Sequence, residues 1–283
     1  MEIREAYRPL LSRLLPEDEP GSLVVRQGQF HEVIMGSERV VCLPRTEAAA
    51  ARLPGRAAVL RTLAGLELGF RVPRPLLEGD GEPPFLVLTR VPGAPLERDV
   101  LDDAQTAEAA AGQYALLLAG LRRAGSDPAV RAALPQAAGD RWRQFAVDVR
   151  TELFMLMSDE GRRRAERELD ALDALPHLTE AVVHGDLGAG NVLWRIVDGM
   201  PRLSGVVDWD EVTLGDPAED LAATTAGYGE EFVTQVLSLG GWPAEGLAWR
   251  IAVIRGTFAL QQALSAHRDG DAEQLADGLA GYR

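Results

Sequence analysis

The chain has 283 residues, 46% hydrophobic and 25% charged, enough for one large domain or two lobes with separate small cores. A net charge of −14 argues against nucleic acid and anionic membrane as main partners, since both need basic patches. It favours a cationic ligand, or it serves solubility alone.

Met1-Glu2-Ile3-Arg4-Glu5 brings acid too early for a secretory leader, and no apolar run approaches the about 20 residues of a membrane span. The single cysteine, Cys42, precludes an internal disulfide and a cysteine-based zinc site. The expected location is cytoplasmic, and the expected state is monomer or homodimer. There is no lysine, so every basic side chain is an arginine.

In chain order, residues 3–15 read as an amphipathic helix stopped near Pro16. Three β-like runs follow, Ser22 to Arg26, Phe30 to Met35 and Arg39 to Leu43, punctuated by Gly28 and Gly36. Residues 46–64 have a helical pattern despite Pro54-Gly55. Pro73 and Pro75 break the chain, and Phe85 to Thr89 is a compact strand. The turn-rich Pro92-Gly93-Ala94-Pro95 marks the boundary between a first lobe, residues 1–92, and a second, residues 93–283.

Helical periodicity then covers 103–124 and 139–173. Ala181-Val182-Val183 is a short strand, and Val192 to Trp194 with Leu203 to Val207 form a hairpin around Asp198-Gly199. From Pro217 onward the chain is helical. The fold class is therefore α+β: a small lobe with a β-sheet, then a larger, mostly helical lobe with a hairpin inserted.

The chemistry concentrates in His184-Gly185-Asp186-Leu187-Gly188-Ala189-Gly190-Asn191, followed by Gly205-Val206-Val207-Asp208-Trp209. Asn191 lies five residues after Asp186, and Asp208 twenty-two after it, at the end of the next apolar strand. Phosphoryl transfer needs one carboxylate to orient the attacking hydroxyl and oxygen ligands to hold Mg²⁺ on the nucleotide phosphates. Protein kinases place a catalytic Asp, an Asn five later and a downstream metal Asp in this order. Gly215-Asp216-Pro217 with Asp220 reads as a capped helix start, with Asp220 buttressing the loop.

These segments resemble the aminoglycoside and macrolide antibiotic phosphotransferases, whose signature is H-G-D-x-x-x-x-N followed by I/V-D-W or I/V-D-F. The resemblance spans about residues 20 to 260 and implies a two-lobed, protein-kinase-like fold. It implies Asp186 as the catalytic aspartate, His184 as the brace of its loop, and Asn191 and Asp208 as Mg²⁺ ligands. ATP or GTP is the implied donor, and a hydroxyl of a small cationic molecule the implied acceptor. In the first lobe, the segment from Val24 to Val33 matches the strand–turn–strand over the nucleotide. There Gly28 either admits phosphate or simply turns a hairpin. Thr89 and Val91, in Leu86 to Gly93, match the stretch that binds the nucleotide base through backbone groups.

One departure stands out. Kinases use a strand lysine, paired with a helix glutamate, on the phosphates. Here the lysine position falls on Cys42 and the glutamate position on Arg56. Arg45, oriented by Glu47, or else Arg39, is the expected replacement. Arg45 has a second reading as an ordinary exposed arginine. His31 reads as structural. Asp210, Glu230 and Glu231 are either acceptor-facing acids or solvated surface. Two other functions stay open at this point: a kinase for an ordinary metabolite such as homoserine, choline or a sugar, and a nucleotide-binding pseudoenzyme.

Overall fold

The computed structural model describes residues 7–28, 30–243 and 246–283. Helix α1 (Arg8–Leu14) covers the later part of the expected 3–15 helix, and residues 3–6 lie outside the described residues. Strands β1 (Val24–Gln27), β2 (His31–Met35), β3 (Arg39–Pro44), β4 (Pro75–Gly79) and β5 (Phe85–Thr89) form an antiparallel sheet in the order β1-β2-β3-β5-β4.

Side chains alternate across β3, so its two faces enter different cores. Val41 and Leu43 pack with Leu11, Leu14, Ile34 and Val87 under α1. Cys42 points the other way, into the core shared with Leu53, Ala57 and Leu60 of α2 (Glu47–Ala64). Thr46 caps α2, its hydroxyl accepting from Ala49 N at 3.1 Å. Pro54 sits inside α2 without ending it. The buried stripe Ala49, Leu53, Ala57, Leu60 and Leu63 holds the helix on the sheet against the local cost of the proline.

The second lobe is mostly helical: α3 (Ala104–Gly125), α4 (Pro128–Ala133), α5 (Arg141–Glu152), α6 (Asp159–Asp173), α7 (Ala218–Tyr228), α8 (Glu230–Leu239), α9 (Leu247–Gly256), α10 (Phe258–Asp269) and α11 (Ala272–Gly278). The periodic stretch 139–173 is two helices rather than one. Between α5 and α6 a tight turn over Phe154–Leu156 intervenes, and Ser158 caps α6 by accepting from Gly161 N at 3.0 Å. Strands β7 (Ala181–Val183) and β10 (Thr213–Gly215) pair antiparallel, and β8 (Val192–Val197) with β9 (Met200–Val206) forms the expected hairpin.

That hairpin joins the lobes through backbone. The short strand β6 (Ala94–Pro95) pairs with β8 at Trp194 and Leu193. Gly93, at φ +118, lies so close to the hairpin that a Cβ there would sit 2.5 Å from Trp194 O. Further along, Arg71 N donates to Ser204 O at 3.1 Å and Val206 N donates to Arg71 O at 2.9 Å. A Cβ on Gly205 would lie 2.3 Å from Arg71 O, so the contact requires glycine.

Candidate active site

The β7–β8 loop is built on a buried carboxylate. Asp220, in the first turn of α7 and 1% exposed, accepts from His184 N at 2.9 Å and from Gly185 N at 3.0 Å. Burial pushes its carboxyl up to about 7, although the two amides act to lower it. The helix start is fixed in turn by Asp216, whose Oδ1 accepts from Ala218 N at 2.9 Å while Arg250 Nε donates to Oδ2 at 2.7 Å. Gly185, at φ +88, passes Glu211 O so closely that a Cβ would sit 2.8 Å from it. The loop therefore needs glycine at its sharpest bend.

His184 is fully buried and holds the loop from inside. Asp186 N donates to Nδ1 at 3.2 Å, so the other nitrogen carries the proton and Nε2 donates to Val207 O at 2.8 Å. Burial depresses the imidazole to about 4, so it is neutral at physiological pH. Its ring packs on Trp209, 4.6 Å between centroids, and Trp209 Nε1 donates to Val206 O at 3.0 Å. One ring thus ties the Asp186 loop to the end of β9.

These braces position three polar side chains. A tight turn over Ala189–Asn191 aims Asn191 back, its Nδ2 donating to Asp186 O and Asp186 Oδ2, both at 2.9 Å. That leaves the Asn191 amide oxygen and Asp186 Oδ1 for other partners. Asp208 adopts a left-handed backbone, φ +65, which turns its side chain off the strand. No hydrogen bond reaches its carboxylate among the described residues. Burial raises the Asp186 carboxyl, as does the nearby charge of Asp208. Asp208 is raised by burial and by Asp210, with Arg56 and His184 acting the other way.

Two desolvated carboxylates facing one cleft are a poor arrangement unless a cation joins them. Among the described residues no three His, Cys, Asp or Glu side chains gather into an all-protein cage. One carboxylate and one amide oxygen, completed by phosphate and water, is a set that Mg²⁺ accepts, so the residues present fit that ion.

The opposite wall comes from the sheet. Gly28 N donates to His31 O at 2.8 Å across the β1–β2 turn, whose Gln29 lies outside the described residues. Arg45, at the far end of β3, reaches back to this turn, its Nη1 donating to Gly28 O at 2.9 Å. Its guanidinium also reaches the side-chain oxygen of Gln27 at 2.7 Å once that amide is oriented to accept. Thr89 ends β5, its Oγ1 accepting from Arg74 N at 2.9 Å. Just beyond it, the Val91 N–H and C=O make no hydrogen bond among the described residues, which leaves a donor and an acceptor for a ligand.

So the structure gathers Asp186, Asn191 and Asp208 at one place. It puts Gly28 and Arg45 together at the turn above, and Thr89 and Val91 at the junction of the lobes. Glu230 faces not the cleft centre but Arg255, whose Nη2 lies 2.6 Å from its Oε1. Sequence reasoning missed a cluster between the lobes. Arg56 Nε lies 2.7 Å from Asp210 Oδ1, a charge contact not aligned as a hydrogen bond, and Arg56 Nη1 lies 3.2 Å from His31 Nδ1. Burial, then the charges of Arg56 and Arg52, holds the His31 imidazole at about 4. The available signal was an arginine on the helix facing a neutral strand residue, with an acid two positions after Asp208.

The chain is similar to known proteins along its whole length. The chain is 67% identical over 287 residues, covering 100% of both proteins, to viomycin phosphotransferase of Streptomyces vinaceus. Its fold matches the GDP complex of wild-type aminoglycoside 2'-phosphotransferase-IIIa at 18% identity, with a TM-score of 0.82 over 97% of this chain and 95% of that one. It also matches a macrolide 2'-phosphotransferase type I at 25% identity, with a TM-score of 0.73 over 100% of this chain and 98% of that one. The model of the phosphotransferase enzyme family matches residues 18–277, and the chain, a phosphoryl-transferring enzyme with the two-lobed kinase-like fold, belongs to that family.

Proposed function

We propose that this enzyme moves the γ-phosphate of ATP or GTP to a hydroxyl of viomycin or a close relative of it. The observation that carries the reaction is the convergence of Asp186, Asn191 and Asp208 on a loop fixed by buried hydrogen bonds. The observation that favours this acceptor is the 67% identity along the full length of the viomycin enzyme. The net charge of −14 also favours a cationic acceptor approaching from solution. Viomycin was not among the acceptors expected from the sequence, which named aminoglycosides and macrolides.

In this reading Asp186 Oδ1 accepts the hydroxyl proton as the acceptor oxygen bonds to the γ-phosphorus. The bond from that phosphorus to the β–γ bridging oxygen breaks, and nucleoside diphosphate leaves. Asn191 keeps Asp186 Oδ2 occupied, which orients the free oxygen. His184 serves as a positioning residue, because both of its nitrogens are engaged by backbone.

Asn191 and Asp208 hold Mg²⁺, which neutralises phosphate charge when bound. The Val91 backbone binds the base beside Thr89, and Gly28 with Arg45 shapes the turn over the phosphates. Both substrates are small molecules, the protein acts in the cytoplasm as a monomer or homodimer, and neither nucleic acid nor membrane takes part.

The test is incubation with viomycin, Mg²⁺ and either nucleotide, read by diphosphate release and by a mass gain of one phosphoryl group on the antibiotic. Kanamycin and a macrolide run alongside. Release with viomycin and none without it is expected. Equal background release with every acceptor would reject the assignment.

A further inference from the structure

The first lobe has a charge problem. Kinases neutralise the α- and β-phosphates with a strand lysine that a helix glutamate orients. This chain has no lysine, and Cys42 occupies the β3 position that faces α2. Cys42 is 1% exposed, and burial raises its thiol, so it carries no charge.

Across from it, α2 presents Arg56. The guanidinium is 13% exposed and reaches two neighbours, Asp210 and His31. Five N–H donors against these partners leave capacity for a further acceptor. Arg56 therefore stands beside Asp210, two residues after the proposed metal ligand. Beside it lies a cleft of about 260 Å³ lined by Phe30, His31, Arg52, Trp209 and Asp210. A partly buried arginine held by one carboxylate and one imidazole is preorganised for phosphate, which it can bridge with two donors at once.

We infer that Arg56, delivered from α2 and oriented by Asp210 and His31, makes the cationic contact to the nucleotide phosphates in place of a strand lysine. The arrangement inverts the usual polarity. The helix supplies the cation, the segment after the metal ligand supplies the orienting anion, and the strand supplies only room. Arg45 then acts at one remove, by holding the turn that Gly28 closes. The inference rests on the nucleotide-dependent reading above.

The experiment is titration calorimetry of the whole chain with Mg²⁺ and a non-hydrolysable ATP or GTP analogue, repeated with the parent nucleoside, which has no phosphates. Arg56→Met should weaken the analogue roughly 10- to 100-fold, the range for a lost charged hydrogen bond, and leave the nucleoside unchanged. Arg56→Glu should weaken the analogue further. The double exchange Cys42→Lys with Arg56→Glu should recover much of the loss by rebuilding the pair with its ordinary polarity.

Equal weakening of analogue and nucleoside would mean that Arg56 only supports the fold, and would overturn the inference. So would an analogue affinity unchanged in Arg56→Met. If Arg56→Met melts below the titration temperature, Arg56→Lys and the double exchange carry the same analogue-against-nucleoside comparison. Failure of the wild-type chain to bind either nucleotide would instead reject the functional reading on which this rests.

Discussion

The β7–β8 loop and the β3–α2 face bring opposite charges to one cleft, and they are secured in different ways. The loop is fixed by groups that have no freedom: Asp220 on two amides, His184 between two backbone atoms, Gly185 in a bend that admits no side chain. The β3–α2 face is held by packing, with Cys42 buried under α2 and Arg56 against Asp210, and in the proposed reading these two take the places of the lysine and glutamate of kinases. A carboxylate that accepts a proton must sit within hydrogen-bonding reach of one oxygen, so its backbone allows little variation. A positive charge on phosphate acts over a longer range and can come from either wall.

The sharpest way to break this comparison is at Asp186. Asp186→Ala should lower turnover roughly 10²- to 10⁴-fold while leaving nucleotide affinity and melting temperature near wild type. A folded variant that kept a tenth of the activity would remove Asp186 from its role. Asp208→Asn should abolish the response of turnover to Mg²⁺ concentration over the wild-type range. It should also cost at least tenfold in turnover, because a neutral amide ligates a hard cation less well.

The claim that the loop is over-determined is tested at Asp220. Asp220→Ala leaves two buried amides without acceptors, at about 1–3 kcal/mol each, so denaturant unfolding should show a loss of several kcal/mol along with falling activity. His184 sharpens the same point through pH. Its folded value of about 4 lies below the ordinary histidine value of 6.5, so the unfolded chain binds the extra proton first. The stabilisation is complete above about pH 6.5 and is lost as pH falls through 4. At 1.36 kcal/mol per unit it amounts to about 3 kcal/mol. A His184→Asn variant should show a shallower stability decline across that window, as read by urea midpoints.

The smallest effect is expected on the other wall. Arg45→Ala removes donors to Gly28 O and to the Gln27 side chain, which should weaken the nucleotide analogue about three- to tenfold. A larger loss there than in Arg56→Met would return the phosphate contact to Arg45.

Local signals carried the loop, and long-range ones hid the cluster. The spacing of Asp186, Asn191 and Asp208 is a property of twenty-three consecutive residues, so it was readable in order. Most strands and helices showed as short apolar runs between Gly and Pro. The strand β4 did not, because Pro73 and Pro75 read as breaks. Its register shifts at Pro75/Leu77, and at the sheet edge the missing N–H costs nothing in the ladder.

The joint between α5 and α6 was hidden by continuous periodicity through Leu153. The contact of Arg56 with Asp210 joins residues 154 positions apart, and nothing in a single sequence pairs such positions. Arg45 illustrates the same limit. Its place after Pro44 was clear, but which way its side chain runs depends on a turn seventeen residues earlier.

The hairpin β8–β9 has a mechanical consequence. The first lobe is stitched to it at Arg71, against Ser204 and Val206, and the connector that leaves that lobe is stitched to it at Ala94-Pro95, against Trp194 and Leu193. Two attachments on one rigid ribbon define an axis, as two hinges do for a door. Opening to admit antibiotic or release diphosphate would then be a swing about that line rather than a sliding apart. Groups beside the axis, Val91 among them, would travel least, and the tip of the β1–β2 turn would travel farthest. Gly93 and Gly205 act as the bearings, since each lets two backbones run closer than any side chain permits. A methyl group at either one would displace the pivot itself, and so misalign the two walls even with every charged residue still in place.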